Sequence, residues 1–128
     1  MAPLPFVPGR HAIESYGGGG FRFAGMSHVG SILATPRGIS ALAAVSIAEV
    51  GDEALAPLIA ELETTPGAVE LLVVGAGASP GRLSEALIQR LRASGLRFET
   101  MATGPAARVY NVLIEEGRRV AALLIAVA

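Results

Sequence analysis

The sequence predicts an α/β fold built on a mixed β-sheet, and three observations predict it. Val120 to Ala128 is a run of nine residues without a polar side chain. Neither alternating face suits water, so the run reads as a strand buried on both faces and central in a covered sheet. From Val69 to Thr100 a strand, a helix and a strand follow one another, which is the pattern of a right-handed parallel crossover. Ahead of them, Phe21 to Thr35 carries the punctuation of an N-terminal β-hairpin. Helices alternate with strands only after that hairpin, so the sheet is mixed.

At 128 residues the chain is one domain's worth. We read residues 1–12 as a flexible proline-rich leader and 13–128 as a single α/β domain. The first nine residues have neither a positive n-region nor an apolar h-region, so they are not read as a signal peptide, and a cytoplasmic protein is expected. The mean hydropathy of +0.54 comes from alanine-rich helices and buried strands. No apolar run reaches the ~20 residues that span a bilayer as a helix. A net charge of -1 argues against nucleic acid as a partner, since such proteins carry a basic stripe. Cysteine is absent, which removes disulfides, thiolate nucleophiles and cysteine metal sites.

Ile13 to Tyr16 suits a short extended segment, and Gly17 to Gly20 interrupts regular structure with four glycines. Phe21-Arg22-Phe23 alternates as a half-exposed strand does. Gly25-Met26 turns the chain, and His28 to Thr35 is the antiparallel partner, ended by Pro36 and Gly38. Ile39 to Val50 suits helix or strand equally, and its apolar part, Ile39 to Ala48, would serve either the core or contact with a second copy. Asp52 is the expected N-cap of a helix running to about Glu63, with Leu55, Leu58, Ile59 and Leu62 as its apolar stripe. Pro57 makes its first turns irregular. Thr64 to Gly67 is a turn.

Val69 to Val74 is the next buried strand and leads into Gly75-Ala76-Gly77-Ala78. Ser79 is the expected cap of the following helix, with Pro80 at its first position. Leu83, Leu87, Ile88 and Leu91 form its buried stripe, and Arg90, Arg92 and Gly95 mark its end. Leu96 to Thr100 is a strand. Thr103 is the expected cap of a third helix, with Ala106, Val109, Tyr110 and Leu113 on one face and Gly117 at its end.

The glycine loop is the most suggestive motif. A strand, Gly75-x-Gly77, a helix and a strand ending in Glu99 resemble a dinucleotide-binding unit, in which backbone N–H groups hold a pyrophosphate. The third glycine, Gly81, comes one position late, and Pro80 removes an N–H that would face phosphate. A simple anion site at this helix start fits better. Gly25-Met26-Ser27-His28-Val29-Gly30 has its second glycine one residue late for a nucleophile elbow and lies in a hairpin. With only His11, His28 and Asp52 to draw on, a Ser-His-Asp triad has poor material, and no spacing suits a metal. Glu115, Glu116, Arg118 and Arg119 read as a solvated helix end. Arg108 and Asn111 share a polar edge beside Tyr110. With Thr103 they either line a small pocket or tie the helix to the sheet by hydrogen bonds. No catalytic set, metal or cofactor is expected.

Met101-Ala102-Thr103-Gly104-Pro105-Ala106-Ala107-Arg108-Val109-Tyr110-Asn111-Val112-Leu113, followed by Glu116-Gly117-Arg118-Arg119-Val120-Ala121-Ala122, resembles a known domain. It is that of a mitochondrial respiratory complex I assembly factor, shared with an adipogenesis-associated protein and small bacterial and archaeal relatives. Tyr16 to Phe23, Gly30 to Leu33 with Pro36, and Leu71 to Gly77 resemble it too. The resemblance implies a three-layer fold around a mixed five-stranded sheet, with the C-terminal strand central and antiparallel to its neighbours. Relatives often carry aspartate, cysteine and tryptophan where this chain has Ala102, Ala107 and Leu42. The implied function is a non-catalytic binding or assembly module whose partners are proteins, among them membrane-complex subunits or assembly factors. The alternative is a small-molecule or anion-binding protein, or an enzyme, that uses Gly75, Gly77 and Ser79 with Thr103, Arg108, Tyr110 and Asn111.

Overall fold

The computed structural model describes residues 7–79 and 81–128. In chain order the strands are β1 (Val7–Pro8), β2 (Ser15–Gly17), β3 (Gly20–Phe23), β4 (Met26–Val29), β5 (Ser31–Thr35), β6 (Gly38–Leu42), β7 (Leu71–Gly75), β8 (Arg97–Met101) and β9 (Val120–Leu124). The helices are α1 (Ala56–Thr64), α2 (Glu85–Ala93) and α3 (Thr103–Glu115). A six-stranded mixed sheet runs β1-β6-β5-β9-β7-β8, and β2-β3-β4 form a small antiparallel sheet. The α/β class, the mixed sheet and the central C-terminal strand are as expected, but the strand ends at Leu124, and Ala126 to Ala128 leave the sheet for partly or fully exposed positions.

Strand alternation sorts the core into two halves. Leu33, Leu72, Val74, Ala121 and Leu123 face α1 and α2 through Leu58, Leu87 and Leu91. Ile32, Ala34, Val73, Ala122 and Leu124 face Ala106, Ala107 and Tyr110 of α3, and Phe21 and Phe23 of the small sheet. The result is three layers. Every residue of β9 is at most 1% exposed, so both of its faces are dry, and each buried leucine contributes about 1.5–3 kcal/mol.

Two details of the sheet differ from expectation. It has six strands, because Val7 and Pro8 pair with Ile39 and Gly38. That pairing, with the Gly9 N–H donating to the Arg37 carbonyl at 2.8 Å, also ties down the end of the supposed leader; residues 1–6 lie outside the described residues. Secondly, β9 is antiparallel to β5 but parallel to β7. A crossover helix returns the chain to the end of the sheet from which the previous strand began. With α2 and α3 as the connectors, β7, β8 and β9 must run the same way.

His28 to Thr35 is two strands, not one. Gly30, at φ +101°, turns the chain out of the small sheet and into the large one. The ambiguous stretch after Ile39 is strand to Leu42, then a 3₁₀ turn at Ile47–Glu49. Ile39, Leu42, Ala44 and Ile47 are all buried, so these side chains serve this chain's own core, while Val45 is left 84% exposed. Asp52 does not cap a helix. Gly51 precedes the 3₁₀ turn Asp52–Leu55, and α1 starts at Ala56 with Pro57 in its first turn. The Asp52 carboxylate instead meets Arg90 of α2 at 3.4 Å.

Nor does Ser79 cap α2. The helix starts at Glu85, so Leu83 of the expected stripe is buried from the loop ahead of it, and the Ser84 hydroxyl accepts from the Leu87 N–H at 3.4 Å. Residues 76–79 and 81–83 form a loop, in which the Gly81 backbone lies too close to Ile47 for a Cβ atom. Pro80, expected in the first helical position, lies outside the described residues. Among the described residues no helix is long and apolar enough to cross a membrane.

Candidate functional site

Thr103 is the first residue of α3 and fully buried. Its expected role as a cap falls to Ala102, which makes no capping bond through its side chain. The Thr103 hydroxyl donates to the Ile125 carbonyl at 2.7 Å and accepts from the Gly77 N–H at 2.9 Å. The Thr103 N–H donates to the Gly77 carbonyl, and the Ile125 N–H to the Gly75 carbonyl, both at 2.9 Å. One side chain thus joins the glycine loop, α3 and the end of β9. Gly75 also lets α3 approach, since a Cβ there would meet Thr103 and Ala106 at 3.0–3.1 Å. Gly75, Gly77 and Thr103 do come together, but as a hydrogen-bonded lock. Ser79 is exposed in the loop beyond it, five residues ahead of the Ser84 cap.

The α3 edge divides in the same manner. Asn111 clamps the backbone of Ile13: its Oδ1 accepts from the Ile13 N–H at 2.8 Å and its Nδ2 donates to the Ile13 carbonyl at 2.9 Å. Tyr110 is 1% exposed. Burial pushes its phenol up to about 12, against a smaller downward pull from the Arg10 charge. Arg108 is exposed, and its side chain makes no hydrogen bond or ion pair among the described residues. Thr103, Tyr110 and Asn111 are therefore anchors, with Arg108 apart from them.

The Tyr110 phenol makes a pH prediction. Its folded pKa lies above the unfolded value of about 10, so the stability from keeping it neutral is fully present below that value. It declines from there and is lost as pH rises through about 12. The expected loss is about 3 kcal/mol, measured by urea unfolding between these limits. Tyr110→Phe should flatten much of that decline.

An open concavity lies elsewhere. A cavity of about 440 Å³ runs between β6 and the start of α1. Leu33, Leu42, Ala44 and Ala54 form its apolar floor, and Glu49, Asp52 and Glu53 its exposed rim. No cation lines it. The sequence signal is a cluster of three carboxylates between apolar segments, which reads locally only as a helix start. Among the described residues no group of three or more His, Asp or Glu is placed to hold a metal.

The model of a family described as "Protein of unknown function (DUF498/DUF598)" matches residues 13–125. The chain belongs to this family. An uncharacterized protein of Rhodobacter capsulatus is 41% identical over 126 residues, spanning 98% of this chain and 93% of that protein. A Bartonella henselae crystal structure, described as an outer membrane protein, is 41% identical, with a TM-score of 0.87 over 95% of this chain and 99% of that one. A Bordetella pertussis solution structure, described as a Mth938-like domain, is 25% identical, with a TM-score of 0.76 over 90% of this chain and 85% of its own.

The three positions where the resemblance implies other residue types lie in different settings of this DUF498/DUF598 fold. Ala102 holds the N-cap position of α3, where an aspartate would cap the helix. Ala107 is buried against the sheet, and Leu42 forms part of the acid-rimmed groove, which a tryptophan would partly fill.

Proposed function

We propose that this protein is a non-catalytic binding module that holds protein partners in the cytoplasm during assembly of membrane complexes, respiratory ones included. The observation that carries the proposal is the groove between β6 and α1, whose carboxylate rim and apolar floor suit a partner segment that pairs an arginine or lysine with an apolar side chain. Further support comes from the residues that offered chemistry, since Gly77, Thr103 and Asn111 are engaged in holding the chain together.

Photo-crosslinking in host cells tests this. A crosslinking residue at exposed Ala43, on the groove, should capture a membrane-complex subunit or an assembly factor. One at Val112, which is 54% exposed on α3 across the sheet, should not. Glu53→Arg should abolish the Ala43 capture. Equal capture from both positions, or none from Ala43, sinks the proposal.

A further inference from the structure

The outer edge of β8 lacks a neighbour. Among the described residues β8 pairs only with β7, and the first strand of the chain sits at the opposite edge of the sheet. A row of unpaired backbone groups is a template for another strand. The existing bonds fix which groups are available. The Met101 carbonyl accepts from the Ala76 N–H, so Met101, and by alternation Glu99 and Arg97, turn their backbone groups toward β7. Those of Phe98 and Thr100 point outward.

We propose that the β8 edge pairs antiparallel with the same edge of a second copy, in a register centred on Phe98. Three physical constraints select this register. Outward-facing residues must meet outward-facing residues for the ladder to close, which admits two-fold centres at Arg97, Phe98, Glu99 or Thr100. Centring on Arg97 or on Glu99 sets that charge against its own copy, and like charges directly opposite destabilise a sheet. Centring on Thr100 runs the ladder out of the strand at Met101. Centring on Phe98 lets Phe98 exchange two N–H···O bonds with its copy, and the Thr100 N–H donate to the partner's Leu96 carbonyl on each side. Arg97 then lies opposite Glu99 of the partner twice over, in the non-hydrogen-bonded positions where side chains approach most closely.

The side chains suit that arrangement. Arg97 and Glu99 are exposed, and neither has a hydrogen bond or an ion pair among the described residues. Phe98 is half-buried beside α2, and the space next to it, bounded by Arg92, Gly95 and Leu96, gives its copy somewhere to pack. The strand carries complementary charges two residues apart around an aromatic pivot, which is what a two-fold interface requires.

Charge reversal tests the register. Light scattering on the wild type, from the micromolar into the millimolar range, should show a concentration-dependent dimer that weakens in high salt. Arg97→Glu alone and Glu99→Arg alone should each be monomeric, because each presents like charges across the two-fold axis. An equimolar mixture of the two single variants should form a mixed dimer, and the double variant should dimerise as the wild type does. A wild type that stays monomeric throughout overturns the proposal. So do single variants that dimerise as well as the wild type, or a mixture that gains nothing.

Discussion

Replacing Thr103 by valine lowers the unfolding free energy by about 2–6 kcal/mol, because two buried backbone groups lose their partner at once. The valine keeps the β-branched shape and so leaves no cavity. What disappears is the donor to the Ile125 carbonyl and the acceptor for the Gly77 N–H. Neither group is reached by water, so each carries about 1–3 kcal/mol of uncompensated desolvation. Against a total stability of about 5–15 kcal/mol for a domain of this kind, that is a large fraction. Urea unfolding should show a lower midpoint with an unchanged slope. Thr103→Ser restores the hydroxyl and should lose only about 1 kcal/mol for the missing methyl. A valine variant within about 0.5 kcal/mol of the wild type, no more than a surface change, would mean the lock carries no stability.

Gly20→Ala should cost about 4 kcal/mol, at the upper end for a single substitution. Gly20 pairs with Val29 across the small sheet, and a Cβ atom there would overlap the His28 carbonyl oxygen, with the Val29 Cα only 3.1 Å away. Both obstacles are backbone, so no side chain can turn aside, and β3 and β4 must separate. Their separation would expose Phe21 and Phe23, which are each 3% exposed in the fold. Gly18 makes the control. It has positive φ but open space around it, so Gly18→Ala should cost about 1–2 kcal/mol from backbone strain alone. Differential scanning calorimetry of the two variants should rank them in that order, and equal losses would refute the overlap.

The parts of this fold that are plain in the sequence are those fixed by a single local property. Of the apolar run Val120 to Ala128, the part that is strand, Val120 to Leu124, is dry on both faces, and Leu87, Ile88 and Leu91 could only be a helix face against a core. What eluded sequence reasoning depends on contacts between distant segments. Ser79-Pro80 and Ser84-Glu85 are both good helix starts, and the choice goes with the packing of Gly81 on Ile47. The direction of β9 follows from its connections, which a single apolar run does not reveal. Asn111 and Thr103 show why the site was harder than the fold. A polar residue on a helix facing a sheet lines a pocket or holds a backbone, and only the position of Ile13 and Gly77 decides. The groove was illegible for a similar reason, since β6 and the start of α1 are separate in sequence and meet only in the folded chain.

The placement of β9 bears on how the molecule is made. During synthesis it leaves the ribosome after all the other strands, yet it occupies the middle of the sheet, between β5 and β7. The hairpin half and the crossover half emerge earlier and must wait with facing edges unpaired. Such distant pairings form slowly, and open edges invite the wrong partner in the meantime. The nascent chain therefore passes through an interval in which both halves exist and the domain does not, and its escape from aggregation rests on how promptly that final strand slides between them.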